Sequence, residues 1–154
     1  MGTGTRASWA QVEQDAPELA AVVRACFAVR KHATLATLRR DGSPRISGTE
    51  VEFSTGQLWL GSMPGSVKAR DLQRDPRMAL HSPTVDPPEG DERAWAGEAK
   101  LAGVAVEVPP DDPDDTSHRF LVDLTEVVHT KVDGDGLLIT SWHPGRAIEV
   151  RRRS

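Results

Sequence analysis

The chain is poor in the residues that build most cofactor-independent active sites. Cys26 is the only cysteine in 154 residues, which excludes an internal disulfide and a cysteine-based zinc site. It sits on the apolar face of an expected helix, where a thiol packs inertly. The five histidines, His32, His81, His118, His129 and His143, lie far apart and never take HExxH spacing. A zinc hydrolase is therefore not indicated, and no metal is expected. There is no G-x-S-x-G elbow, no G-x-G-x-x-G and no P-loop, so serine-nucleophile, Rossmann and nucleotide-hydrolase sites have no motif behind them.

Long apolar runs are missing too. None approaches the roughly 20 residues of a membrane span, and no signal-peptide pattern opens the chain. Met1-Gly2 begins like a myristoylation signal, but Arg6 stands where serine or threonine is required. The expectation is a soluble cytoplasmic protein that does not engage a membrane. A formal net charge of −4 with scattered cations gives no nucleic-acid footprint. The terminal Arg151-Arg152-Arg153 reads as a short solvated tail. Lysine is scarce, at 4 against 15 arginines, a skew that fits a GC-rich genome.

What is present fits one domain over residues 1–154, with residues 1–8 loose. A chain of this length buries about 68–70% of the surface it exposes unfolded. Ser8 and Gln11 have capping-box spacing ahead of a short helix at Trp9. A second helix from Pro17 to near Lys31 places Leu19, Val22, Val23, Cys26 and Phe27 on one face. The period then changes to that of strands. His32–Arg39 and Pro44–Phe53 flank an Asp41-Gly42 hairpin turn, the return strand shifting face through a bulge, and Gln57–Ser62 makes a third strand. Further strands are expected at Arg77–Ser82, Arg93–Val108 (with bulges at Gly97 and Gly103), Phe120–Leu124, Leu137–Trp142 and Arg146–Val150. Two proline-acid stretches, Pro83–Asp91 and Pro109–Asp115, read as exposed loops. This pattern predicts a mainly β, antiparallel small barrel with flanking helices.

The stretch from Leu58 to Arg77, LWLGSMPGSVKARDLQRDPR, organises the rest. It reads as a strand, a tight turn through Met63-Pro64-Gly65, and a helix capped by Ser66 and stopped at Asp75-Pro76. Lys68 and Arg70 stand at the positive end of that helix, where a cation is unfavourable by a few tenths of a kcal/mol up to about 1. A glycine turn, free N–H groups and two cations at one point suit an anion such as phosphate. The same residues also fit an ordinary capped surface helix that solvates its charges. A bound redox cofactor needs only such a phosphate grip and a shaped surface for its ring, and the exclusions above leave that option standing.

The order LATLRRDGSPRIS, LWLGS, GSVKARDLQRDPR resembles the pyridoxamine 5'-phosphate oxidase-like split-barrel superfamily, over roughly His32 to His81. That group includes FMN-binding oxidases and reductases and the deazaflavin-dependent reductases. The resemblance implies a split β-barrel homodimer with a flavin-type cofactor, FMN or the deazaflavin coenzyme F420, at each subunit interface. It assigns the cofactor's phosphate to Arg45, Ser62, Ser66 and Lys68, and lays the ring along the backbone of Ile46, Ser47 and Gly48. Trp142 and Arg146 become candidates for completing the partner's site. Two positions depart from the FMN oxidases: Glu50 replaces a lysine, and Gly61 an aromatic. Both sit more easily with the deazaflavin branch, as does the arginine skew.

The resemblance implies an oxidoreductase that moves two electrons to or from a small organic molecule, with the hydride chemistry supplied by the cofactor. No residue identifies itself as a catalytic acid or base. A different class remains open: a flavin- or haem-binding split barrel without turnover (a carrier, sensor or stress protein). A third is a dimeric module that has lost its ligand, with Glu50 as the symptom.

Overall fold

Two helices open the part of the chain described by the computed structural model, which is residues 5–154. The expected loose tail falls partly on residues 1–4, outside that range. What is described of it is tied down: Ala7 exchanges backbone hydrogen bonds with Leu124, at 2.9 and 2.7 Å. Helix α1 (Trp9–Asp15) starts where the Ser8 hydroxyl accepts the Gln11 N–H. Helix α2 (Pro17–Ala28) uses Pro17 in its first turn and buries Leu19, Val23, Cys26 and Phe27. It is shorter than its periodicity suggests, and Val22 is exposed.

Nine strands follow, every named pairing antiparallel. They are β1 (Ala33–Leu38), β2 (Pro44–Thr49), β3 (Val51–Ser54), β4 (Gln57–Ser62), β5 (Arg77–His81), β6 (Glu98–Glu107), β7 (His118–Asp133), β8 (Gly136–Trp142) and β9 (Glu149–Arg153). Helix α3 (Val67–Arg74) lies between β4 and β5, and a 3-10 turn, Glu92–Ala94, precedes β6. The strand order is β2-β1-β5-β6-β7-β4-β3, with β8 and β9 continuing from β7. Strands β2 and β3 are the two ends of that order, yet Glu50 alone separates them in the chain. A sheet whose opposite edges are covalently joined through one residue must curl until they approach. That is the split barrel.

The same fact corrects the sequence reading of Pro44–Phe53. The segment is not one bulged strand but two strands that leave Glu50 for different neighbours, β1 and β4. Strand β7 is also far longer than Phe120–Leu124. Its first residues pair with β4, its last with β8, and β6 runs alongside most of its length. Gly97 lies ahead of β6 in a positive-φ conformation rather than within a bulge. The terminal arginines belong to strand β9 and are not a free tail.

One core joins the helices to the barrel, with Trp9, Val12, Val23, Leu35, Leu58, Leu60, Leu101, Phe120, Val122, Leu124 and Val127 all buried. Phe53 bridges Trp9 and Phe27, with ring centroids 4.7 and 5.9 Å away. The register of β6 against β7 shifts between Ala102 and Gly103. At Gly103 a Cβ would lie 2.2 Å from the Asp123 carbonyl oxygen. Gly103→Ala is therefore expected to destabilise the fold by about 1–3 kcal/mol through overpacking, read as a lower denaturant midpoint at unchanged slope.

Candidate functional site

Helix α3 is fixed to the barrel by one buried carboxylate. Asp71, 1% exposed, accepts from Thr37 Oγ1 on β1 at 2.8 Å, Arg45 Nε on β2 at 2.7 Å and Arg74 Nη2 at 2.7 Å. Burial alone would raise the pKa of this acid. The hydrogen bonds from Arg45, Thr37 and Arg74 outweigh it and hold the carboxyl below its ordinary value. The N-terminal end of α3 is set by Ser66, whose hydroxyl accepts the Ala69 N–H at 3.2 Å. Ser62, at the end of β4, places its own hydroxyl in hydrogen-bonding contact with that of Ser66. Gly65, at φ +68°, makes the turn between them in a region open chiefly to glycine.

Lys68 crosses the split. Its ammonium donates to the Gly48 carbonyl oxygen at 2.8 Å, bridging the first turn of α3 to the edge strand β2. Burial pushes its pKa below the ordinary lysine value, and the Glu50 carboxylate pulls it only partly back. Glu50 itself is exposed and within 3.5 Å of both Lys31 Nζ and His32 Nε2. Such exposed pairs contribute at most about 1 kcal/mol, but Lys31 gives Glu50 a cationic neighbour in addition to Lys68.

These residues flank a cavity of about 770 Å³ between the β2–β3 joint, β4, the 63–65 turn and the start of β7. Gly48, Ser62 and Lys68 line it. Ser66 sits behind Ser62 through the hydroxyl contact. Arg45 does not line this cavity. It lies in a neighbouring depression with Arg39, Arg40, Arg70 and Arg74, its Nε committed to Asp71. Ile46 projects into solvent at 74% exposure, and Ser47 is half-buried on the opposite face of β2.

Two sequence candidates lie elsewhere. Trp142 is fully buried, and its indole N–H donates to Asp15 Oδ2 at 3.0 Å. It locks β8 to the end of α1 and has no ring face to offer a cofactor, which overturns its expected site role. Arg146 is exposed in the turn after β8, its backbone N–H donating to His143 O at 3.3 Å, and does not line the cavity.

The structure adds residues that no motif marked. Trp59 and Arg119 form one wall of the cavity, with the guanidinium carbon 3.8 Å from the indole centroid. The Trp59 indole nitrogen is buried without a hydrogen-bond partner. His118, paired across the ladder with Ser62, accepts the Gly65 N–H on Nε2 at 3.1 Å. Its Nδ1 lies 2.8 Å from Glu107 Oε2, and Gln73 donates to the same carboxylate at 3.0 Å. Burial raises the pKa of Glu107, but the bonds from His118 and Gln73 outweigh it and hold the carboxyl below its ordinary value. Cross-strand pairing of β4 with β7 was the only signal that could have found His118, and the sequence did not show that β7 begins there.

The pyridoxamine 5'-phosphate oxidase family model matches residues 19–121, about two thirds of the sequence. The chain belongs to that family. Among solved structures it is similar to a pyridoxamine 5'-phosphate oxidase-related, FMN-binding protein from Nostoc punctiforme. The identity is 13%, covering 90% of this chain and 96% of that one, with a TM-score of 0.64. It is also similar to an F420 reductase, at 15% identity over 67% and 93% of the two chains and a TM-score of 0.50. The haem storage protein HutZ from Vibrio cholerae shares 14% identity over 86% and 96%, with a TM-score of 0.53. At these identities the likeness is one of fold. No curated protein sequence matches the chain. Among the described residues no helix is long and apolar enough to cross a membrane, and no cluster of potential metal ligands occurs.

Replacing Asp71 tests the anchor of the site. Asp71→Asn is expected to lower stability at neutral pH by about 3 kcal/mol, because Arg45 and Arg74 lose a charged partner. A depressed carboxylate stabilises the fold above its unfolded pKa and loses that contribution as pH falls through the folded value. The wild type should therefore lose more stability than Asp71→Asn between neutral pH and values below 3.8, the ordinary carboxylate value, in denaturant melts across pH.

Proposed function

We propose that this family member is an oxidoreductase dependent on a flavin-type cofactor, FMN or the deazaflavin coenzyme F420, acting on a small organic molecule. The observation that carries the reading is the gathering of Ser62, Ser66 and Lys68 at one corner of the cavity beside the start of α3. Two hydroxyls, an ammonium and free first-turn N–H groups form a donor set suited to a phosphate. The cavity volume is within the usual range for a cofactor pocket, about 300–1,000 Å³. A Cβ at Gly48 or Gly61 would meet nothing within 4 Å, so the backbone there is bare to a flat ring.

In this reading Lys68 exchanges its bond to the Gly48 carbonyl for one to phosphate, and Ser62 and Ser66 turn their hydroxyls to the same group. The backbone of Ile46, Ser47 and Gly48, on the free edge of β2, lies along the ring. Arg45 acts from the adjoining depression, as a preorganised positive charge held by Asp71. The cofactor supplies two-electron hydride chemistry when bound. Trp59 and Arg119 wall the opposite side and exclude water. Gly61 lines the cavity with open space where a side chain would stand, which leaves room for substrate. The alternative is a flavin- or haem-binding protein without turnover, supported by the engagement of both nitrogens of His118 in internal bonds.

The subunit arrangement is part of the proposal. Ile46, Met63 and Val67 are large, apolar and exposed, and they lie on β2 and on the turn and helix that Lys68 ties to it. A second copy covering this patch would form a homodimer whose interface borders the cavity. Sedimentation should give twice the chain mass, and Ile46→Asp should shift the protein to monomer while retaining its circular dichroism.

An optical spectrum of purified protein titrated with FMN and with the deazaflavin coenzyme tests the reading directly. One of the two should bind with a perturbed visible band. Lys68→Ala should weaken that binding by about 1.5–3 kcal/mol, the range for a hydrogen bond to a charged group. Unchanged affinity in that variant would refute the phosphate assignment. Steady-state turnover of a reduced cofactor separates the enzyme from the carrier.

A further inference from the structure

The His118 imidazole occupies a position that the phosphate reading leaves unexplained. A backbone amide can only donate, so the 3.1 Å contact from Gly65 N requires Nε2 to be unprotonated. The ring proton then resides on Nδ1, where it is donated to Glu107 at 2.8 Å. Gln73 holds the same carboxylate at 3.0 Å, so the dyad is fixed on both sides. The acceptor lone pair of His118 thus engages an N–H of the very turn that leads into the Ser62, Ser66 and Lys68 corner. His118 also lines the same cavity as Ser62, Met63, Pro64 and Lys68. An anion entering that corner competes with His118 for the Gly65 N–H.

We infer that His118 takes up a proton from solvent when an anionic ligand binds at this corner, changing from a competing acceptor into a second donor. This rests on the phosphate reading above and adds a proton-linked positioning residue to it. Protonation of Nε2 breaks the neutral N–H···N bond and releases the Gly65 N–H toward the ligand. It also creates a positively charged donor while leaving the Nδ1–Glu107 bond in place. Hydrogen bonds to charged oxygens are stronger than the neutral bond surrendered, so protonation favours the bound state. The linkage has a fixed sign: affinity rises as pH falls through the histidine range and is lost as pH rises.

The charged and titratable groups around His118 come from every neighbouring element. They are Glu107 at the end of β6, Lys68 on α3, Arg119 beside it on β7, Asp115 in the preceding loop, and Glu50, Glu52 and His32 around the cavity. Gln73 on α3 and Ser62 on β4 are uncharged. Since the ligand's own phosphate changes charge over the same range, the comparison must be between wild type and a variant at the same pH.

The experiment titrates FMN and the deazaflavin coenzyme into wild type and His118→Gln between pH 5.5 and 8.5, with proton uptake measured calorimetrically in two buffers of different ionisation enthalpy. Glutamine can accept from Gly65 or donate to the ligand without changing charge. Wild type should gain about tenfold more affinity than His118→Gln on going from high to low pH, with uptake approaching one proton near neutrality only in wild type. In the ligand-free protein, imidazole ¹⁵N shifts should show the proton on Nδ1, and the Gly65 amide shift should move as His118 titrates. Glu107→Gln, which keeps the imidazole and removes its anionic partner, should move the affinity profile to lower pH and serves if His118→Gln does not fold. Parallel pH profiles in wild type and variant, or a ring proton on Nε2, would overturn the inference while leaving the cofactor assignment intact. Failure of wild type to bind either cofactor at any pH would overturn both.

Discussion

The Asp71 carboxylate is the constraint on which the geometry of this protein turns. It is a charge removed from water, and such a group is tolerated only when its oxygens are fully engaged. Thr37, Arg45 and Arg74 supply those bonds from β1, β2 and α3 itself. The result is a short helix pinned by its middle to the barrel wall, with its positive end aimed at the split. An eight-residue helix has little stability of its own, so the position of Ser66 and Lys68 is inherited from this buried contact and from Leu72 and Ala69 beneath it. Arg45 and Arg74 are oriented in the same act, which is why they crowd one depression without mutual repulsion dominating.

Across the split the charges are poised rather than satisfied. Lys68 leans on a carbonyl oxygen, a neutral acceptor, although the Glu50 carboxylate is close enough to act on it. Glu50 lies 3.5 Å from Lys31 Nζ and from His32 Nε2, with more than half of its side chain exposed to solvent. A lysine that is partly buried, depressed in pKa and bound only to a backbone carbonyl can exchange that partner for a stronger one at modest cost. The placement of Glu50 follows from topology: it is the one residue that joins the two edges of the sheet, so it must stand at the mouth of whatever lies between them. Its carboxylate sets a lower net charge at that mouth than a lysine in the same place would.

Much of this was legible in the sequence. The turn at Met63–Gly65, the Ser66 cap and the stop at Asp75-Pro76 are encoded by local chemistry, and α3 appears within a residue of where that chemistry puts it. The Asp41-Gly42 hairpin is equally local. What the sequence concealed was non-local. Nothing in Pro44–Phe53 says that its halves pair with different strands, because a break at a single polar residue looks like a bulge until the partners are known. The long β7 was missed because Val127–Thr130 are all buried and so lack the alternation that marks a half-exposed strand. Trp142 was misplaced for a related reason: an aromatic near the end of a strand has the same local appearance whether it faces a ligand or a core. Asp71, which reads as one more acid on a charged helix, acquired its role only from β1 and β2.

The last strand carries a consequence for the behaviour of the protein in concentrated solution. Among the described residues β9 pairs with β8 alone, so its other side is a sheet edge of the kind that recruits foreign strands into aggregates. Arg151, Arg152 and Arg153 occupy that strand consecutively, with Arg152 also held by Asp133. Like charges brought into register repel, so a second molecule that tried to extend the sheet there in the same way would set one row of guanidinium groups against another. Charged side chains along an edge strand are one of the ways natural sheets discourage such pairing, and the arginine run places three of them on this edge.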